Sequence, residues 1–188
     1  MAWIPAFAGT VCKQTGFCFL SPSRGRGTLA IVARMDSSHV TLPLPDLAAT
    51  EALARRLAPL LRVKDVVTLQ GDLGAGKTTL ARALLRALSI HEDVPSPTFT
   101  LMQSYDAPAF PIHHFDLYRL KSPDEMEEIG FDDARADGLV LVEWPERAAA
   151  RMPRDRLELR FAMDAYGQRQ VTLTPYGAWA NRFEGFRP

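Results

Sequence analysis

The 188-residue chain has no net charge: Lys+Arg and Asp+Glu both number 22. A protein that grips nucleic acid through its phosphates usually carries a basic excess, so strong direct binding to RNA or DNA is disfavoured, a local basic patch apart. Long apolar runs are missing, and no stretch is suited to crossing a membrane. Cysteine is scarce. Cys12 and Cys18 are too few for a zinc site and their spacing fits no redox motif, so they read as idle reduced thiols, as in a cytoplasmic protein. Acidic residues are absent from the first 34 positions, the first being Asp36. That segment carries Arg24, Arg26 and Arg34. Its apolar start at Ala2–Cys12 precedes Lys13, the wrong order for a secretory signal, and it matches a transit peptide only in part. The preferred reading is an extension foreign to the working protein, with translation starting at Met35 and weak order in residues 1–34. Residues 35–188 are then expected to form a single domain. With 47% hydrophobic and 23% charged residues, the chain is composed to fold around a proper core.

What is present is more specific. Gly71-Asp72-Leu73-Gly74-Ala75-Gly76-Lys77-Thr78 fits G-x-x-x-x-G-K-[ST], the phosphate-cradling loop. Gly71, Gly74 and Gly76 permit tight turns and bring backbone N–H groups close to phosphate oxygens. Lys77 supplies a mobile cation for the β- and γ-phosphates, and the Thr78 hydroxyl suits Mg²⁺. Asp72, Ala75 and Thr79 complete the expected nucleotide-binding set. The context is the required one. Val66–Leu69 reads as a buried strand before the loop, and Leu80, Ala81, Leu84, Leu85 and Leu88 recur at helical spacing after it. The helix N-terminus then points its free N–H groups at the anion.

Around this unit, Val40–Leu44 reads as an edge strand because of Pro43. Asp46 is placed to cap a helix with an apolar stripe of Leu47, Leu53, Ala54, Leu57 and Leu61. Pro95-Ser96-Pro97-Thr98 must be a loop, and its hydroxyls suit either a γ-phosphate sensor or a rigid connector. Residues 100–105 and 112–118 are strand candidates. Ser122-Pro123-Asp124-Glu125 starts a short helix ending at Gly130. Leu139–Val142 is a second buried strand. Leu157, Leu159 and Phe161 pair with Val171 and Leu173 across a turn near Gly167, and a short helix or irregular tail follows Ala178. The fold class expected is α/β, P-loop NTPase-like and three-layered, with a mostly parallel central sheet and an antiparallel C-terminal hairpin.

A phosphate loop needs an acid nearby to hold a metal and its water. Glu143 ends the apolar run 139–142, and Asp116 ends His114-Phe115-Asp116; both are candidates. His113 and His114, as strand neighbours, face opposite ways, cannot share one metal, and read as packing or surface residues. Trp144 suits either the phosphate site or a core or lid position.

Four segments now stand in order: the loop with Thr79, then Ser96-Pro97-Thr98-Phe99-Thr100-Leu101, then His114-Phe115-Asp116-Leu117-Tyr118-Arg119-Leu120, then Leu141-Val142-Glu143-Trp144-Pro145. Together they resemble the bacterial TsaE (YjeE) family, over about residues 40–173. The resemblance implies a small cytoplasmic ATPase of the tRNA N6-threonylcarbamoyladenosine pathway, binding ATP or ADP with Mg²⁺. It implies action on the TsaD–TsaB complex, with tRNA met only indirectly. By position it implies that Lys77 contacts phosphates, that Thr78 and Glu143 hold Mg²⁺, and that Asp116 works near the metal and the attacking water. The resemblance departs at Gly167-Gln168-Arg169, where the family often has Arg directly after the glycine, which leaves nucleotide contact by Arg169 open.

Two other classes use the same loop. A small-molecule kinase needs an arginine-bearing lid, for which residues 147–156 are the candidate. A GTP-binding switch typically selects guanine with Asn-Lys-x-Asp, whereas the one asparagine here, Asn181, has no lysine after it.

Overall fold

The computed structural model describes residues 34–36, 39–184 and 186. The expectations for residues 1–34 and for Cys12 and Cys18 fall outside these residues, Arg34 apart.

Eight described strands form one sheet: β1 (Arg34–Asp36), β2 (His39–Pro43), β3 (Val66–Gln70), β4 (Met102–Asp106), β5 (Pro111–Asp116), β6 (Leu139–Glu143), β7 (Arg156–Met163) and β8 (Arg169–Tyr176). Their order is β1-β2-β8-β7-β3-β6-β5-β4. The run β7-β3-β6-β5 is parallel and the other pairings are antiparallel. The sheet is therefore mixed: its centre is parallel and β7–β8 form the expected antiparallel hairpin, while β1, β2 and β4 add antiparallel pairs beyond the expectation. Short connections explain it: β4 reaches β5, and β7 reaches β8, without a crossover, and a direct turn can only join antiparallel strands.

The parallel centre is buried on both faces, as such strands must be. Along β6, Leu139 and Leu141 join a cluster with Leu53, Leu80 and Leu84, whereas Val140 and Val142 join another with Met126 and Phe131. Helices α1 (Leu47–Leu57) and α2 (Lys77–Ala87) thus cover one face, and α3 (Glu125–Glu128) and α4 (Phe131–Asp137) the other. Each fully buried aliphatic side chain contributes about 1.5–3 kcal/mol.

Local signals account for the element ends. Asp46 caps α1 by accepting the Ala49 N–H at 2.8 Å. The helix buries Thr50, Leu53, Ala54 and Leu57 at i, i+3, i+4, i+7 spacing, while Leu47 is 56% exposed and lies outside the stripe assigned to it. Glu125 accepts the Ser122 N–H at 3.1 Å, and the short α3 ends before Gly130, at φ +72°. The helix after Ala178 is α5 (Trp179–Phe183). β2 lies between β1 and β8 rather than at the sheet edge. Pro43 is tolerated because β1 pairs only as far as Thr41, and because Leu44 N–H, not residue 43, donates to Arg169 O at 2.8 Å.

Candidate functional site

The glycine loop leaves the carboxyl end of β3 and runs directly into α2. Gly71 takes φ +141°, and a Cβ there would lie 2.7 Å from Phe161 O, so the loop hugs β7 closely enough to exclude any side chain. Gly76 enters the helix at φ +110° and offers no side-chain cap. The first N–H groups of α2 are thereby left for an anion.

Lys77 is 5% exposed and folds back over the loop. Its Nζ donates to Gly71 O at 2.6 Å and Asp72 O at 2.9 Å, and stands 3.7 Å from the centre of the Trp144 ring. Burial pushes its pKa below the ordinary 10.5, against the opposing pull of Glu143, Glu146, Asp116 and Asp72.

The two acids predicted as partners meet in the sheet. Asp116 and Glu143 are in register on β5 and β6, at the carboxyl ends of adjacent parallel strands. They are 3% and 2% exposed. Thr78 Oγ1 donates to Glu143 Oε2 at 2.8 Å. Thr98 Oγ1 donates to Asp116 Oδ2 at 2.6 Å and is 2.8 Å from Ser96 Oγ, while Tyr118 N–H donates to Asp116 Oδ1 at 3.0 Å. The Ser96–Thr98 loop is therefore latched to Asp116. One cleft of about 290 Å³ brings Gly74, Gly76, Lys77, Thr78, Thr79, Ser96, Thr98, Asp116, Glu143 and Trp144 together. Gly71, Asp72 and Ala75 do not line it, although Gly71 and Asp72 contribute their carbonyls to Lys77.

This donor set fits a divalent cation beside a phosphate. A hydroxyl has one hydrogen and two lone pairs. With its hydrogen committed to Glu143, Thr78 keeps lone pairs free for a metal. Among the described residues no three His, Cys, Asp or Glu side chains gather into a metal cage. Mg²⁺ commonly binds instead through one or two carboxylates together with phosphates and waters.

Trp144 takes the site position. Its φ/ψ of +58°/+46° is unusual for a bulky residue, the more so before Pro145, and it turns the ring onto Lys77. Tyr118 packs against it with ring centres 5.0 Å apart. His113 and His114 do face opposite ways, yet His114 is not mere packing. It is fully buried, and its Nε2 donates to Glu143 Oε1 at 2.9 Å. The signal was present: His114 lies two residues before Asp116, hence on the same strand face. His113 Nδ1 is 2.8 Å from Ser104 Oγ instead.

Among the described residues no arginine lines the cleft. In the proposed lid segment Arg147 lies over the Tyr118 ring at 5.5 Å, Arg151 bonds Asp124 at 2.8 Å, and Arg156 pairs with Glu158. Arg169 borders a separate hollow of about 80 Å³ with Leu44, Ala75 and Phe161, which meets the cleft at Gly76 and Thr79.

Comparison with known proteins gives concordant matches. The family model "Threonylcarbamoyl adenosine biosynthesis protein TsaE" matches residues 44–171. The tRNA threonylcarbamoyladenosine biosynthesis protein TsaE of Bacillus subtilis is 38% identical over 136 residues, covering 72% of this chain and 83% of that protein. Its namesake in Rickettsia conorii is 48% identical over 98 residues, 52% of this chain and 56% of the relative's length. The crystal structure of Bacillus subtilis YdiB superposes with a TM-score of 0.65 at 29% identity, covering 81% of this chain and 91% of that one.

Proposed function

The chain belongs to the TsaE family, and from that premise and the cleft we propose that it is a Mg²⁺-dependent ATP hydrolase serving tRNA threonylcarbamoyladenosine formation. The fold is then of the P-loop NTPase kind, with helices on both faces of the sheet. The observation that carries the reading is the convergence on one cleft of Lys77, the Thr78–Glu143 pair and the Thr98–Asp116 pair.

In this reading, the N–H groups of residues 74–79 and Lys77 Nζ hold the phosphates of ATP or ADP, with Lys77 leaving the carbonyls of Gly71 and Asp72 to reach them. Thr78 and Glu143 hold Mg²⁺, which when bound supplies positive charge against the negative charge developing on the phosphoryl oxygens. Asp116, beside Glu143, orients the attacking water. Thr98 releases or keeps Asp116 according to the position of its loop, which makes residues 96–98 a sensor of the terminal phosphate.

Among the described residues the cleft lining holds no arginine, which supports slow turnover by the protein alone, since such a charge accelerates phosphoryl transfer by about 10³–10⁵. A partner would complete the site, and the family resemblance makes that partner the TsaD–TsaB complex, with tRNA held there. The proposed setting is cytoplasmic. Among the described residues no helix is long and apolar enough to cross a membrane. The test is phosphate release from ATP with Mg²⁺, with and without TsaD–TsaB, joined to a pull-down in ATP, ADP or no nucleotide. Partner-stimulated release and nucleotide-dependent association are expected. Phosphate transfer that requires a metabolite acceptor would replace this reading with a kinase.

A further inference from the structure

We propose that His114 is a positioning residue whose task is to aim the Glu143 carboxylate; the inference rests on the reading that Glu143 and Thr78 hold the divalent ion. His114 sits on β5 with no exposed surface, on the face that Ile112 presents to the core beneath α2. Its Nε2 is 2.9 Å from Glu143 Oε1, while Glu143 Oε2 accepts from Thr78 Oγ1 at 2.8 Å. The carboxylate is thus gripped at both oxygens, by the sheet behind it and by the helix of the phosphate loop in front. A carboxylate free to rotate would present either oxygen, or neither, to a cation beside Thr78. With Oε1 tied to the imidazole, Oε2 is the one that faces the loop.

The other ring nitrogen argues that this tie is not incidental. Among the described residues, His114 Nδ1 is buried with no hydrogen-bond partner. A buried polar atom left unsatisfied loses its hydration with nothing to replace it, and is destabilising. A leucine at this position would fill much of the same apolar surroundings without that cost. What the imidazole provides in return is one thing, a rigid N–H donor to Glu143. The orphaned Nδ1 also fixes which nitrogen bears hydrogen: a hydrogen on Nδ1 would meet no acceptor, so Nε2 carries it and donates to the acid. Residues that orient a ligating group in this way commonly alter metal affinity about 10- to 100-fold when lost.

Two measurements test it. In the metal-free wild-type protein, long-range ¹H–¹⁵N correlation should show the His114 ring with hydrogen on Nε2; hydrogen on Nδ1 would overturn the proposal. Binding of a fluorescent ATP analogue is then measured with and without Mg²⁺ in wild type, His114→Leu and His114→Gln. The ratio of the two affinities should fall by about 10- to 100-fold in His114→Leu with metal-free affinity little changed, and recover in large part in His114→Gln, whose amide still offers N–H. An unchanged ratio in a folded His114→Leu protein refutes the positioning role alone. Should His114→Leu not fold, a ratio in folded His114→Gln at least tenfold below wild type refutes it equally. If Mg²⁺ leaves wild-type affinity unaltered, the metal assignment fails first, and this inference with it.

Discussion

Replacing Lys77 by methionine separates binding from folding more cleanly than any other change here. The ammonium is buried, bonded to two loop carbonyls and stacked on Trp144, and burial already depresses its pKa. It is thus held at an electrostatic cost, and a triphosphate is what would reverse that cost. Removing one partner of a buried ion pair costs about 3–5 kcal/mol. Lys77 must give up its carbonyl bonds to reach the phosphates, which returns part of that, so about 2–4 kcal/mol remains. The dissociation constant for ATP with Mg²⁺ should rise roughly 30- to 700-fold. Calorimetric titration measures this, and thermal unfolding of the nucleotide-free variant should show no loss of stability. The pH dependence has a definite sign. Because the folded pKa is lowered, the unfolded chain keeps the Lys77 proton to higher pH than the folded one. Wild type should therefore gain stability relative to Lys77→Met as pH climbs through the folded value toward 10.5. An affinity within threefold of wild type would refute the reasoning, as would lost binding caused by unfolding.

Other substitutions probe the remaining contacts. Glu143→Gln keeps the shape of a side chain that is 2% exposed and should spare nucleotide binding more than Mg²⁺-dependent phosphate release; release at the normal rate removes Glu143 from its role. Thr98→Val deletes a 2.6 Å bond to a carboxylate, an interaction of about 1.5–3 kcal/mol, and should slow turnover about tenfold or more while changing ATP affinity little. Gly71→Ala sets a Cβ 2.7 Å from Phe161 O at a φ that L residues rarely adopt, and should cost at least about 1–3 kcal/mol in urea unfolding. Arg182→Ala removes both guanidinium bonds from Asp65, which is 8% exposed and keeps the Arg62 N–H at 2.8 Å, and should lower stability by about 3–5 kcal/mol without affecting nucleotide affinity. Equal melting temperatures would contradict that ledger.

The elements that could be read along the chain were those whose cause is local. The loop announces itself because glycines, a lysine and a threonine at fixed spacing are needed by one short turn. Asp46, Ser122 with Glu125, and Gly130 mark helix ends because capping acts within a few residues. Alternation put the strand of Leu157, Leu159 and Phe161 beside that of Val171 and Leu173, and in the structure Leu159 meets Leu173 and Phe161 meets Val171. The mixed character of the sheet was less legible, since strand order and direction are settled by long-range packing. The shielding of β2 by β1 was missed for the same reason.

Sequence by itself thus determined the family and marked the glycine loop, Asp116 and Glu143 as site candidates, all from contiguous residues. Only the tertiary structure decided which atoms meet. Asp116 and Glu143, separated along the chain, become neighbours because β5 and β6 run parallel in a fixed register. His114 changes from a packing or surface residue into a partner of Glu143, and Trp144, open to the phosphate site or to a core or lid position, comes to lie over Lys77. Strand alternation tells which side a residue faces, but not what the neighbouring strand and helix put opposite it, because that depends on burial summed over the whole sheet.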